Sequence, residues 1–475
     1  MAKRSFGKEV IKFITQIDAY ESTLPLVMRS LATEMNRATA SFDTFLKAEA
    51  RVITRLEHHD QVAEIDESQE IETSVSDDET IDDFLLDVPL RGRRKADENG
   101  LAQEDDIVRY TLDGKHVGRI QKFRKDAHNL MIAVDILPKS ALVALVSQFD
   151  AYLGRLIRLI LIVRPELLNA SEKSMPFAEL IRFPDMNSAR EYILEKEVES
   201  VLRLSHVEQF AWLENKLSMP LREGLESWSA FVEITERRNL IVHTDSIVSS
   251  QYLAVCKRHN VPLHKNCTTG TQLAVTARYY RTAVEHIYEI GVKLAQVIWR
   301  KILPKQLDQA EKNLQHVTYA LLEQERYTLA RILLEFATIT LKKHASEEYR
   351  LMHIVNLAIA YKWTGESERA SKVLRKIDWS ATGDRFKLPV AVLNDDREKV
   401  FWLMDRIGSN GEVPQMAYKS WPVFRGLRED REFLSTYERI FHEPYEVVHM
   451  GELLNWHSED DEEHDDEDSA ETNTF

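Results

Sequence analysis

The run Glu236-Arg237-Arg238-Asn239-Leu240-Ile241-Val242-His243-Thr244-Asp245 holds the side chains best suited to chemistry. On a helix that turns about 100° per residue, Asn239 and His243 are one turn apart on one face, and Glu236 lies on the same stripe. Leu240, Ile241 and Val242 fall on other parts of the circumference and can pack. A polar stripe beside an apolar face must find partners, because each unsatisfied buried polar group costs about 1–3 kcal/mol. Histidine moves protons near neutral pH. The planar fork of arginine clamps an oxyanion through two parallel hydrogen bonds. Arg238 precedes His243 by five residues, about 140° around the helix, so the two side chains diverge on one regular helix. A second copy of that helix across a two-fold interface would place them together more naturally. Arg281 and His286 repeat the spacing without an asparagine after the arginine and read as a solvated face.

A second cluster is Cys256-x2-His259, four residues, then His264-x2-Cys267. Four such side chains can complete a tetrahedral zinc site, but the order matches no established zinc pattern. The reading taken is a loop whose cysteines pack inward, with no metal or other cofactor required.

The elements that must position the motif are helical. The chain has 475 residues, 44% of them hydrophobic, with only 15 Gly and 13 Pro, and its apolar runs have helical period. A mainly α protein is expected, with a helical extension over 1–59 broken or kinked at Pro25. Residues 60–105 read as an acidic disordered linker, with an apolar exception at Ile81–Leu90 and a basic cluster at Arg91, Arg93, Arg94 and Lys95. A small β-hairpin is expected at Ile107–Gly118, turning at Asp113-Gly114. Helices at 140–163, 187–205, 207–216, 221–248 and 271–303 then make up a domain over 106–310. From 311 to 457 a helical repeat is expected: Ala330 and Leu334 recur forty residues on as Ala370 and Leu374, Gly365-Glu366 marks a turn, and Asn394-Asp395 marks a third unit. Such units bury their faces by stacking, as in a tetratricopeptide-type array. Trp421, Phe424, Phe433 and Phe441 would cap it, before an acidic disordered tail over 458–475.

The net charge of −16 is unevenly spread. Glu64–Asp87 holds 11 acidic residues and Glu459–Glu471 holds 10, with no Lys or Arg in either segment. Removing those 21 from the 78 acidic residues leaves 57 against 62 basic ones, so the rest is mildly basic and compatible with a polyanion partner. Two cysteines make no disulfide framework. The most apolar run noted, Leu156–Val163, is too short to span a bilayer. A soluble cytoplasmic protein without a membrane partner is expected. No Walker loop, dinucleotide-type glycine loop, His-Glu-x-x-His or Gly-x-Ser-x-Gly occurs.

Arg238-Asn239-x3-His243, set on a helix ahead of a loop and a closing helix, resembles the HEPN superfamily, and within it the RNase L–PSP-type group. The resemblance covers roughly 125–303 and includes Ser147-Gln-Phe149-Asp150-Ala-Tyr152-Leu153 on an earlier helix. It implies a helical bundle that dimerises through this domain and a metal-independent endoribonuclease. The RNA 2′-OH would attack the adjacent phosphate to leave a 2′,3′-cyclic phosphate and a 5′-OH. His243 would be the acid/base, Arg238 the phosphate clamp and Asn239 the positioning group, with Glu236 or Asp150 fixing the imidazole. Many such proteins act in bacterial phage defence or as toxins. A toxin silenced by nucleotidylation near the motif would make Tyr252 a candidate acceptor. The alternative is a non-catalytic adaptor, in which the bundle dimerises and the repeat recruits a partner protein.

Overall fold

The computed structural model describes residues 5–49, 51–56, 83–89, 107–169 and 175–446. They are mainly helical, and fall into two compact units. One comprises the described residues of Met1–Asp18, Leu145–Thr271 and Arg281–Phe475; the other comprises Ala19–Ala144 and Gln272–Tyr280.

The second unit holds most of α1 (Phe6–Glu49), the strands β1 (Arg51–Leu56), β2 (Asp83–Pro89) and β3 (Ile107–Asp113), and the first part of α2 (Val117–Val163). The strands form an antiparallel sheet in the order β1-β3-β2, with Leu112 and Ile120 packed on Phe45 and Leu46. This corrects the expected hairpin. The Asp113 carboxylate accepts the N–H of Lys115 (2.9 Å) and opens a 3-10 turn, Gly114–His116, that runs straight into α2. No strand returns from Asp113-Gly114; β3 pairs instead with two strands that precede it. β2 falls within the apolar exception of the expected linker. The rest of that linker, apart from Asp83–Pro89, the basic cluster and the acidic tail lie outside the described residues. α1 starts close to expectation but ends at Glu49, so that β1 takes the place of the last part of the expected helical extension; α1 is unbroken at Pro25, whose carbonyl accepts from Arg29 Nε (3.3 Å). Gly114–Val163 also contains a stretch apolar and long enough to cross a membrane by length and composition, with Met131, Ile132, Val134 and Ile136 exposed.

In the first unit, the opening turns of α1 and the second part of α2 join α5 (Met186–Leu202), α6 (His206–Leu217), α7 (Trp228–Thr244), α8 (Ser250–Arg258) and α9 (Ala277–Ile302, from Arg281 on); short helices α3 (Glu166–Asn169) and α4 (Phe177–Leu180) link α2 to α5. Phe13 stacks on Tyr152 (ring centroids 4.1 Å, 11° between planes), and Tyr152 Oη donates to the Gly291 carbonyl (3.1 Å). A Cβ on Gly291 would sit 2.2 Å from Phe13 Cε1. Gly to Ala within a helix ordinarily stabilises by about 1 kcal/mol. Here the sign reverses, because the Phe13 ring is held against Tyr152 and cannot yield. Gly291→Ala is expected to lower stability by about 1–3 kcal/mol, read as a lower urea midpoint at unchanged slope. A higher midpoint would mean that Phe13 has room to move.

After Leu303 come three helical hairpins: α10 (Leu307–Glu323) with α11 (Tyr327–Glu335), α12 (Glu347–Trp363) with α13 (Ser367–Leu374), and α14 (Asp384–Leu393) with α15 (Arg397–Ile407). Their turns are alike. Glu325, Gly365 and Asp395 are all left-handed (φ 61°, 81° and 56°). The next N–H in each reaches back five residues: Arg326 to Leu321 (2.9 Å), Glu366 to Tyr361 (2.7 Å) and Asp396 to Ala391 (3.0 Å). Five residues after each left-handed position stands a buried Ala330, Ala370 or Val400, where the paired helices meet. α16 (Gln415–Ser420) and α17 (Arg431–Phe441) follow, closed by Tyr418 stacked on Phe424 and by Phe433, Tyr437 and Phe441.

Candidate functional site

α7 carries the motif. Phe231, Val232, Ile234 and Leu240 are buried and fix its inner face. Its end is set by two left-handed residues, Asp245 (φ 49°) and Ser246 (φ 66°), whose N–H groups both reach the Leu240 carbonyl. His243 thus lies in the last turn, exposed, where the helix dipole places partial negative charge.

The other motif residues point into a polar network. Arg238 Nη2 donates to Asp150 Oδ2 (2.6 Å), and Arg238 Nη1 donates to Asn239 Oδ1 (3.3 Å). Asn239 donates in turn to Glu236. Burial pushes the Glu236 carboxyl above the usual carboxylate range, opposed by His206, the Asn239 amide and Arg238. Asp150 comes from the buried part of α2, beside Phe149 and Tyr152. Asp150, Glu236, Arg238 and Asn239 are therefore brought together, while His243 stands outside the network. Arg237 faces elsewhere: its Nε donates to Glu233 Oε1 (2.7 Å), which also accepts the Tyr252 hydroxyl (2.7 Å).

His206 was not singled out from the sequence. Its Nε2 pairs with Asp150 Oδ1 (2.7 Å), and its ring packs edge-on against Phe231 (5.6 Å). It is the first residue of α6, set by a capping box in which Ser205 Oγ accepts from Glu208 N and Glu208 accepts from Ser205 N (2.9 Å). The Ser205-x2-Glu208 signature marks a helix start. It carries no sign of the partner 56 residues away.

The four zinc candidates do not form a metal site; among the described residues no group of three or more His, Cys, Asp and Glu could hold an ion. Cys256 is buried in α8, and burial together with the Glu233 charge pushes its thiol up to about 12. Burial also raises Cys267. A zinc ligand needs the opposite tendency, toward thiolate. Burial lowers His259, as do Arg258 and Arg222, and its ring lies edge-on to Trp228. His264 is exposed and accepts the N–H of Asn266 (3.3 Å). α8 also carries Cys256 on a helix where the Cys/His cluster was expected to be loop.

Tyr252 is 1% exposed with its hydroxyl given to Glu233, so it is not presented for modification. Arg281 is exposed as expected, whereas His286 is half-buried and faces Glu289 (3.9 Å), itself paired with Lys293 (2.6 Å).

No family model, no curated protein and no solved structure matches this chain.

Proposed function

We propose that the protein is a metal-independent endoribonuclease built on a HEPN-type bundle. The observation that carries this reading is the placement of Arg238 and Asn239 in one network with Asp150 and Glu236, one turn before an exposed histidine at the end of the same helix. His243 is the acid/base that takes the 2′-OH proton and returns one to the leaving 5′ oxygen. Arg238 holds the phosphate as charge builds on it. Asn239 positions Arg238, and Asp150 keeps the guanidinium in place before substrate arrives. His243 is flanked by exposed Val242 and Ile247, an apolar surface suited to a second copy of the bundle. A homodimer would bring His243 of one protomer toward Arg238 of the other. The three hairpins form a tetratricopeptide-like array that binds a partner protein or senses a trigger. A cytoplasmic, phage-defence or toxin-type role follows from the same reading.

The test is cleavage of labelled single-stranded RNA and total tRNA in EDTA. The parent protein is expected to leave 2′,3′-cyclic phosphate ends, and His243→Ala is expected to cut at least 100-fold more slowly. The second reading, a non-catalytic adaptor, draws on the inward tie between Arg238 and Asp150 and on the stacked hairpins. Absence of cutting by the parent, with no greater toxicity on expression than His243→Ala, would put it first.

A further inference from the structure

We propose that His206 is a positioning residue of this site, holding or releasing Arg238 through the carboxylate that both share. The inference rests on the ribonuclease reading. Asp150 divides its two oxygens: Oδ2 takes Arg238 Nη2 at 2.6 Å and Oδ1 takes His206 Nε2 at 2.7 Å. His206 cannot swing away, because it opens α6 behind a capping box and its ring is wedged against Phe231 and Phe149. The groups facing it are Asp150 from α2 and Glu236 and Arg238 from α7, with Ser205 and Glu208 on its own helix start.

Charge balance supplies the mechanism. With a neutral imidazole, the Arg238 guanidinium carries the positive charge that Asp150 leans on. With an imidazolium, Asp150 gains a second cationic partner and His206 alone can satisfy it. Arg238 is then free to turn to a phosphate. Its inward pose is already imperfect, since Nε is buried with no hydrogen-bond partner among the described residues. Charging His206 should therefore tighten RNA binding, and keeping it neutral should weaken it.

The experiment measures affinity for a labelled single-stranded RNA from pH 5.5 to 8.5 at fixed salt, using the non-cleaving His243→Ala protein alone and with His206→Gln added. Glutamine can still donate to Asp150 but cannot gain charge. Affinity in the first protein is expected to rise on the order of tenfold toward acid, as one unscreened charge near a phosphate allows, and His206→Gln should remove most of that rise. Should His206→Gln fail to fold, Asp150→Asn in the same background frees Arg238 directly and should bind tightly with a flattened profile. Unchanged pH profiles in the folded variants, with RNA still bound, overturn the role of His206 and leave the ribonuclease reading standing. No RNA bound by any of these proteins at any pH overturns that reading as well.

Discussion

Arg238→Ala is expected to slow RNA cleavage by about 10²–10³-fold, the usual loss when one preorganised donor to a developing oxyanion is removed. Part of the loss should fall on binding and the larger part on kcat, because charge on the phosphate oxygens grows toward the transition state. Folding should change little. Arg238 and Asp150 are each about a quarter exposed, and after the substitution Asp150 keeps the hydrogen bond from His206 (2.7 Å). The stability loss should therefore stay near the worth of one hydrogen bond, about 1 kcal/mol. Arg238→Lys separates charge from geometry: it keeps the charge but loses the planar fork that spans Asp150 and Asn239. It should recover binding better than rate. Single-turnover cleavage beside a thermal melt makes the measurement. Full activity in Arg238→Ala would reduce the arginine to a helix-to-helix tie.

What was legible in the sequence follows from the range of the interactions involved. Asn239, His243 and Glu236 share a face because helical geometry alone dictates it, and α7 spans them. Asp150 was legible only through a resemblance, and His206 not at all, since the contact joining them crosses 56 residues. The Asp113-Gly114 pair shows a local rule losing to another local rule. Asp-Gly favours a tight hairpin, but aspartate is also a good cap, and here its carboxylate holds Lys115 N and starts a helix. The hairpin repeats were legible where Gly365 takes the left-handed turn. Glu325 occupies the same conformation without the residue type that announces it. The Cys/His cluster was read as a loop with cysteines packed inward; the inward packing of Cys256 comes instead from a helix, α8, and His264 lies exposed beyond its end.

Glu311→Gln is expected to cost about 3–5 kcal/mol, the penalty for breaking a buried ion pair from one side. Glu311 is fully buried at the start of the repeats, and three cationic or donor groups converge on it. Oε1 takes Arg300 Nη1 (2.8 Å) and His344 Nδ1 (3.1 Å), and Oε2 pairs with His353 Nε2 (2.9 Å). Arg300 belongs to α9, Glu311 to α10 and His353 to α12, so one carboxylate joins the last helix of the bundle to the first two hairpins. Glutamine would keep the shape but aim an N–H at donors and leave Arg300 without its counter-ion. Acid should weaken the same joint. Burial alone would raise Glu311, yet the hydrogen bonds from His344, His353 and Arg300 outweigh it and hold the carboxyl well below its ordinary range. Burial lowers His353, and the neighbouring His344 and Arg300 add to that against the attraction of Glu311. Both groups bind protons less readily folded than unfolded, so stability must fall as pH falls. The His353 share is lost first, once pH drops below the ordinary histidine value of 6.5. The Glu311 share follows below the ordinary glutamate value of 4.5. Urea midpoints from pH 8 to 2.5 should therefore decline in two stages in the parent, while Glu311→Gln starts lower and loses the second stage. A variant as stable as the parent across this range would show that the bundle and the hairpins are held by apolar packing alone.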